Sequence, residues 1–457
     1  MMNTGFTLLA TVKTLGFVGL VWMTLSAPVQ AALTLKQTVN IALEHDPWLR
    51  GNELKQGALE ASSVAASSLP DPVVSLGLLN FPTDGFALDQ EPMTQIKIGL
   101  AQRFPRGDSR AIRQRQLSQL AQQHPLLAED RRAKVEVSVS QLWLDAFKAD
   151  QSIRLIDNDR ALFEQLAEIV QASYSSAQGK TRQQDVVRAQ LELSRLDDRL
   201  ARLHEQRDMA VARLMEWLVV EPRDMFVSAG GDKPVFPDTL PSIAPLERDL
   251  NTLLGQQNRQ ILAEILTRHP AVMALEQRIQ AGFTGALLAE QKYRPQWGVN
   301  GSYAYREDEQ SGRSRADFFS IGLSFDLPLF TANRQDKEVA ASRMQAESMK
   351  TDKRLLMRNM MAQLDTLYAR YQGLEQRLNL YRGSILPQMH EQAEASLTAY
   401  TNDDGDFAEV MRARIAELNG RIEQIAIATE QLAAQIHIHY FFTGSRALTP
   451  AAQGVTP

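Results

Sequence analysis

The residues of this chain with the clearest capacity for chemistry form a cluster of carboxylates near residue 405. Asp403, Asp404 and Asp406 surround Gly405, and Glu409 follows Asp406 by three residues; these four acidic residues are called the acidic turn below. Carboxylates at this density attract cations, but Asp and Gly are also common turn formers, and Asp406 could simply cap a following helix. The spacing is not the alternating one of an EF-hand loop.

Two other groups carry atoms that bind metals. His437 and His439 have an i,i+2 spacing, which points their rings apart on a helix, so a structural role at the helix surface is predicted. Met357, Met360 and Met361 offer sulfur ligands suited to Cu(I), but methionines at helical spacing usually pack a core. The sequence therefore predicts no metal site and no cofactor.

Enzyme motifs such as H-E-x-x-H, G-x-S-x-G and G-x-G-x-x-G are absent. Gly179-Lys180-Thr181 imitates the end of a P-loop, but Tyr174 stands where the first glycine should be. The chain has no Cys, which excludes thiol catalysis, disulfides and thiolate metal sites. No enzymatic function is predicted, and a net charge of -5 gives no basic surface for nucleic acid.

The elements that position these residues follow from a repeat. Three dipeptides that end in proline recur 223 residues later. They are Asp46-Pro47 with His269-Pro270, Asp71-Pro72 with Arg294-Pro295, and Phe104-Pro105 with Leu327-Pro328. Because a constant offset indicates a tandem duplication, we predict structural repeats at residues 32–220 and 257–443. A proline-rich connection, residues 221–256, joins them, and residues 444–457 form a tail.

Each repeat is predicted to contain a helix, two strands and then two long helices. Residues 109–175 and 333–400 lack Gly over most of their length, and about 65 residues at 1.5 Å each give a helix on the order of 100 Å long. Pro125 and Pro387 lie inside these helices, where we expect a kink or a break. The helices that follow have apolar residues at coiled-coil spacing, as in Leu193-Leu196-Leu200-Leu203.

Four segments alternate in the way that membrane β-barrel strands do. Residues 95–102, 296–305 and 318–327 alternate small or polar side chains with apolar and aromatic ones, and residues 73–81 do so less regularly. A soluble sheet with one buried face gives the same pattern, whereas a barrel has lipid outside and water inside. A sheet in lipid must leave no open edge. Because four strands cannot close a water-filled barrel, the membrane interpretation requires several copies of the chain.

Residues 1–31 have the layout of a secretory signal peptide. Lys13 precedes an apolar run at residues 15–25, and small or apolar residues precede a cleavage site after Ala31. The run is shorter than the ~20 residues that a membrane-spanning helix needs, so export is predicted rather than anchoring. No later segment supplies an uninterrupted apolar run of about 18 residues, so no transmembrane helix is expected.

With these elements in this order, the chain resembles the TolC-type outer-membrane efflux proteins. The resemblance rests on residues 33–47, 266–270 and 385–388 and on the turn-to-helix segments 174–193 and 400–418. It implies a mostly α fold with four transmembrane β-strands per chain. It further implies a homotrimer that forms a 12-stranded β-barrel in outer-membrane lipid and an α-helical tunnel through the periplasm. The partners implied are a periplasmic adaptor protein and an inner-membrane pump of the resistance-nodulation-division type.

A narrower resemblance concerns the cargo. Residues 69–72, 90–95 and 104–107 resemble members associated with heavy-metal cation export more than members of the multidrug branch. Such loops can be shared by lineage without a shared substrate, so both branches stay open. Many relatives carry a lipidated Cys at the mature N-terminus, and because this chain has no Cys, no lipid anchor is expected.

The resemblance places functional residues at the turns between the long helices, at the periplasmic entrance. Glu409 matches a pore-facing acidic position of the family, whereas Arg412 stands at a second one and departs from the pattern. Asp185, in the first turn, matches a position that helps to latch the closed entrance. Three copies of the acidic turn would form a ring of negative potential that attracts cations. Arg412 either weakens this ring or pairs with Glu409 at i,i+3.

The sequence thus predicts a passive outer-membrane channel of a Gram-negative cell that extends into the periplasm. A soluble periplasmic coiled-coil adaptor or scaffold is the alternative, since it explains the long helices and the export. It does not explain the aromatic strand faces and their hairpins. A periplasmic enzyme is supported only by the length of the chain.

Overall fold

The computed structural model describes residues 32–176, 182–219, 234–243, 245–246, 248–255, 258–402 and 404–444. The predicted signal peptide lies outside the described residues, as do Asp403, part of the first turn and all of the predicted tail after Gly444. The described chain is mostly helical, with very long helices and one four-stranded antiparallel sheet. The predicted fold class is therefore confirmed.

The first half begins with a capped short helix and continues into the order predicted for a repeat. Thr34 caps the first helix, and its Oγ1 accepts the Gln37 N–H at 3.3 Å. Asp46 caps the second helix by accepting the Trp48 N–H at 3.1 Å, and Pro47 occupies the first helical position. The elements are α1 (Leu35–Glu44), α2 (Pro47–Ser67), β1 (Val73–Leu79), β2 (Gln95–Phe104), α3 (Ser109–Ser175) and α4 (Gln183–Leu218).

The second half repeats the capped helix, the strand pair and the long helices. His269 takes the place of Asp46, since its Nδ1 accepts the Ala271 N–H at 3.2 Å and Pro270 follows it. The elements are α5 (Arg248–Gly255), α6 (Arg259–Thr267), α7 (Pro270–Glu290), a 3₁₀ turn (Gln291–Tyr293), β3 (Trp297–Tyr305), β4 (Phe318–Phe325), α8 (Gln335–Leu380), a π turn (Tyr381–Ile385), α9 (Leu386–Thr401) and α10 (Phe407–Phe441).

The two internal prolines act differently. The helix α3 is continuous over 67 residues, so Pro125 does not break it, while a kink there stays a prediction. The helix α2 contacts α3 directly before this proline, because the buried Asn52 Nδ2 donates to the His124 carbonyl at 2.8 Å. At Pro387 the prediction is confirmed, since the π turn interrupts the helix directly before it. A wider turn there relieves the clash between a proline ring and the carbonyl four residues back.

The sheet has the strand order β1-β2-β3-β4, and its register sorts the side chains onto two faces. Directly opposite residues share a face, and Ile98 lies opposite both Leu76 and Tyr303. The face that we call the apolar face is highly exposed, with Leu76, Phe319 and Ile321 at 77%, 75% and 77% of full exposure. Its apolar side chains are Val74, Leu76 and Leu78 of β1, Ile96, Ile98, Leu100 and Phe104 of β2, Trp297, Val299, Tyr303 and Tyr305 of β3, and Phe319, Ile321, Leu323 and Phe325 of β4, and Gln102 and Gly301 also lie on this face.

The long helices pack through the coiled-coil positions that the sequence indicated. Leu196 and Leu200 of α4 are buried in one cluster with Leu418 of α10. A second cluster surrounds the fully buried Trp143 of α3, whose Nε1–H donates to the Leu33 carbonyl at 2.9 Å. Among the helices that the structure describes, none is both long and apolar enough to cross a bilayer.

Candidate functional site

The acidic turn lies between α9 and α10 and is shaped by its backbone. The Asp404 N–H donates to the Ala399 carbonyl at 2.9 Å. A Cβ on Gly405 would lie 2.6 Å from the Tyr400 nitrogen, so the close approach of two backbone segments requires glycine here. Asp406 caps α10, because its Oδ1 accepts the Ala408 N–H at 3.2 Å. The capping alternative considered for Asp406 thus holds in this structure.

The three described carboxylates of the acidic turn are exposed. Asp404, Asp406 and Glu409 are exposed, and so is Arg412. Glu409 and Arg412 are both described, and no hydrogen bond or ion pair joins them. Within one chain the structure therefore brings these charges to one exposed end of a helical hairpin without neutralising Glu409.

An apolar set on the opposite side of α10 holds this turn in place. Phe407, Val410 and Met411 are buried against Val170 of α3 and Ala189 of α4. Because buried and exposed residues alternate with the helical period, the packing of α10 fixes which way Glu409 faces. The helical hairpins of the two halves are thus one packed unit.

Asp185 has a structural role at the start of α4 that the sequence did not indicate. It is only 6% exposed, and its Oδ2 accepts the Arg182 N–H at 3.0 Å. The Asp185 N–H in turn donates to the Arg182 carbonyl at 2.9 Å. The carboxylate therefore caps the start of α4, while its role in latching the closed entrance stays a prediction.

A buried ion network between α9 and α10 was missed at the sequence level. Glu417 is 4% exposed and accepts hydrogen bonds from Arg414 at 3.1 Å, from His390 Nδ1 at 2.9 Å and from Arg421. Burial raises the pKa of the Glu417 carboxyl, but the His390 hydrogen bond and the two arginines outweigh it, so this pKa lies below its ordinary value. The i−3 and i+4 spacing of the two arginines around Glu417 was the available signal.

A second buried network joins the two halves where α7 begins and α10 ends. The buried His269 Nε2 lies 3.1 Å from the Tyr440 carbonyl, and the Tyr440 hydroxyl donates to Asp130 of α3 at 2.8 Å. Burial lowers the pKa of His269, which favours the neutral ring that its capping role requires. Lys134 completes the network at 2.7 Å from Asp130.

The metal-binding alternatives gain no support from the geometry. No group of three or more His, Asp or Glu among the described residues is arranged to hold a metal ion. Met360 is buried in the core, and Met357 and Met361 pack against the same cluster. His437 is half-buried on α10. The three methionines pack in the core, as their helical spacing predicted.

Both ends of the sheet are tied by residues of the two halves. At the hairpin end, the Arg306 and Arg315 guanidinium groups donate to the carbonyls of Pro92 at 3.1 Å and Glu91 at 3.3 Å. At the helical end, Arg106 donates to the Arg294 carbonyl at 2.8 Å and pairs with Asp326. The sheet is therefore a single unit built from both halves.

An exposed apolar and aromatic strand face is typical of transmembrane β-barrels, and in this chain very long helices extend from the sheet that carries it. The family described as outer membrane efflux protein matches residues 261–440, which carry β3, β4 and the second pair of long helices. The resemblance to the TolC-type outer-membrane efflux proteins is confirmed, and with it the predicted location in the outer membrane. The family consists of channels rather than enzymes, in agreement with the prediction that no enzymatic function is present.

Solved outer-membrane proteins share the fold at low sequence identity. VceC from Vibrio cholerae is 13% identical over 90% of this chain and 96% of its own, with a TM-score of 0.70. The CmeC channel from Campylobacter jejuni is 12% identical over 95% of this chain and 94% of its own, with a TM-score of 0.71. The open state of the MtrE channel from Neisseria gonorrhoeae is 14% identical over 90% of this chain and 88% of its own, with a TM-score of 0.67. No curated protein sequence matches the chain significantly.

Proposed function

We propose that this chain is the outer-membrane duct of a tripartite efflux system, a passive trimer that carries substrates from the periplasm to the exterior. The observation that carries the proposal is the exposed apolar face on a sheet whose outer strands, β1 and β4, have no further partner within the described chain. Lipid would cover that face, and the open edges would pair with other copies. Three copies supply the strands of a closed 12-stranded barrel.

The long helices give the duct its second part and its partners. With 67 residues, α3 alone has a length on the order of 100 Å, enough to carry the entrance far from the bilayer. We propose that a periplasmic adaptor and an inner-membrane pump of the resistance-nodulation-division type meet the trimer there. The repeats at residues 32–220 and 257–443 remain part of this proposal.

The acidic turn is proposed to form the charged ring of the periplasmic entrance. Support comes from the exposure of Asp404 and Glu409 and from the packed side of α10 that aims them outward. Changing Asp403, Asp404 and Asp406 to Asn and Glu409 to Gln should lower the cation selectivity of single channels in planar bilayers. Because Asn also caps helices, the cap at 406 survives these changes. Unchanged selectivity in a normally assembled oligomer would rule out the ring.

The cargo is the least constrained part of the proposal. The segments at residues 69–72, 90–95 and 104–107 favour heavy-metal cations over the multidrug branch. A strain that lacks the gene should accumulate more metal ion than its parent, and the gene restored on a plasmid should reverse this. Equal metal accumulation together with increased sensitivity to organic toxicants would assign the multidrug branch instead.

Fractionation tests the proposal as a whole. We expect the chain in the detergent-extracted outer membrane, as an oligomer that runs at high mass on an unheated denaturing gel and as a monomer after boiling. The absence of native Cys permits single-cysteine labelling. In membranes, a water-soluble maleimide should label Ser320→Cys and spare Ile321→Cys, because these neighbours lie on opposite faces of β4. A freely soluble periplasmic monomer with both cysteines labelled would support the adaptor alternative.

A further inference from the structure

The face of the sheet opposite the apolar face, called the polar face here, carries an uneven set of charges. Lys97 and Arg103, both on β2, are the only charged side chains on it within the four described strands. The other residues of this face are Gly, Ala, Ser, Asn or Gln, apart from Val73, Leu79 and Phe318 at strand ends. No carboxylate accompanies the two cations on the strands.

Both side chains project over small neighbours. Lys97 lies opposite Gly77 of β1 and Ala304 of β3, and Arg103 lies opposite Gly298 of β3. No hydrogen bond or ion pair among the described residues holds either head group. The long side chains are therefore free to extend from the sheet into whatever the polar face encloses.

The ion pairs around the helical end of the sheet do not include Arg103. At that end Arg106 pairs with Asp326 and Arg294 pairs with Asp108. Asp71, which precedes β1, is exposed and has no ion pair among the described residues. Arg103 therefore takes no part in these ion pairs, and Asp71 is a carboxylate at the same end of the sheet that is unpaired among the described residues.

The hairpin end carries more carboxylates than cations. Asp84 and Asp317 accept hydrogen bonds from the neutral Gln90 and Tyr303, which leave both carboxylates charged, and Glu309 lies 3.7 Å from Arg315. These groups belong to the loops beyond the strands. The wall formed by the strands themselves is positive.

We propose that Lys97 and Arg103 make the barrel part of the duct attractive to anions, opposite in sign to the acidic turn at the other end. The proposal rests on the proposed function, because only a closed trimer places three copies of each side chain around one lumen. The two residues are six positions apart, so at about 3.4 Å per residue they lie ~20 Å apart along the strand, and the two positive rings are closer than this along the axis of a barrel with tilted strands. A ring of like charges raises the local concentration of counter-ions and lowers that of co-ions.

This assignment bears on the class of cargo. Anionic or neutral substrates would cross the barrel more easily than bare cations. A metal cation would cross more readily as a neutral or anionic complex than as the free ion. The positive rings therefore act as a filter that is separate from the entrance.

Reversal potentials across planar bilayers under a KCl gradient test the inference. In the double variant Lys97→Gln, Arg103→Gln, the ratio of K⁺ to Cl⁻ permeability should rise by roughly twofold or more at 0.1 M salt. The double variant Lys97→Glu, Arg103→Glu should raise it further. Both shifts should shrink at 1 M salt, where charges are screened within about 3 Å.

Arg313→Gln is the matched control, because it removes the same charge from the tip of the β3–β4 loop, outside the wall. Its permeability ratio should stay close to that of the wild type. If the variants form heat-sensitive oligomers and conduct normally but keep the wild-type ratio of K⁺ to Cl⁻ permeability, the inference is wrong and the proposed channel function is unaffected. If the wild type itself forms no oligomer and no conducting channel, the proposed function fails instead.

Discussion

Gly405 and Asp406 show how single residues fix the geometry of the acidic turn. The glycine permits the backbone of the turn to lie against Tyr400, and the aspartate ends the turn by capping α10. Asp406 is thus both a structural residue and a charge, whereas Asp404 and Glu409 make no described hydrogen bond through their side chains. Charge and stability can therefore be varied separately at this site.

The close approach at Gly405 leads to a stability prediction. Gly405→Ala would place a Cβ 2.6 Å from the Tyr400 nitrogen, so the backbone must move. We expect a loss of about 1–3 kcal/mol in the free energy of unfolding, seen as a lower midpoint in thermal unfolding of the purified protein.

Gly373→Ala is the control for this substitution. A Cβ on Gly373, inside α8, would meet nothing within 4 Å. Alanine there should stabilise the helix by roughly 0.5–1 kcal/mol. Equal effects of the two substitutions would show that the approach to Tyr400 does not constrain the turn.

The hairpin of α9 and α10 is held together at the element scale by the Glu417 network. Because the pKa of the Glu417 carboxyl is lowered on folding, its ionised form stabilises the folded state above the unfolded pKa of about 4.3. This stabilisation is lost as the pH falls through the lower, folded value. The network should therefore weaken only under clearly acidic conditions.

Glu417→Gln tests that dependence. At pH 7 the variant should lose about 1–3 kcal/mol in the free energy of unfolding, because two arginines lose their charged partner. The difference from the wild type, measured by denaturant titration, should shrink as the pH is lowered below about 4. A difference that stays constant from pH 7 to pH 3 would mean that the charge of Glu417 contributes nothing.

The elements of the sheet lead to a prediction about its two faces. Ile321→Lys would place a charge on the apolar face, at a cost of roughly 2–4 kcal/mol near the middle of a bilayer. We expect this variant to yield far less heat-sensitive oligomer in the outer membrane. Ser320→Lys, one residue earlier and on the polar face, should assemble normally. Equal assembly of both variants would mean that lipid does not contact the apolar face.

The elements were the most predictable part of the molecule, since their periods are local properties. The range of α3 and all four strands followed from glycine content and two-residue alternation. The continuity of α3 through Pro125 did not, because it depends on tertiary packing, such as the Asn52 contact with the residue before it. The Glu417 network was missed for a similar reason, since His390 is brought to it from another helix.

On the scale of the whole molecule, the candidate site was predicted in position but not in detail. The order of elements was sufficient to place Asp185 and Glu409 at the two helical turns, because each turn joins two long helices. The capping roles of Asp185 and Asp406 depend on hydrogen bonds that no spacing rule fixes. The positive polar face required the register of the sheet, which combines β2 of the first half with β3 of the second.

The proposed duct would combine the acidic turn at one end with positive rings at the other, and this asymmetry leads to a last prediction. A pore with fixed charges of opposite sign at its two ends accumulates ions under one polarity of voltage and loses them under the other. At 0.1 M salt the current through single channels should therefore differ between equal positive and negative voltages. At 1 M salt the difference should fade, because the screening length drops from about 10 Å to about 3 Å.

Neutralising either end should reduce this asymmetry of the current. Lys97→Gln with Arg103→Gln removes the positive end, and the Asn and Gln substitutions of the acidic turn remove the negative end. Because each change leaves one charged end in place, each should reduce the asymmetry only in part, and the combined variant should conduct almost symmetrically. A wild-type channel with a symmetric current at 0.1 M salt would mean that the two charged regions do not share one water-filled path.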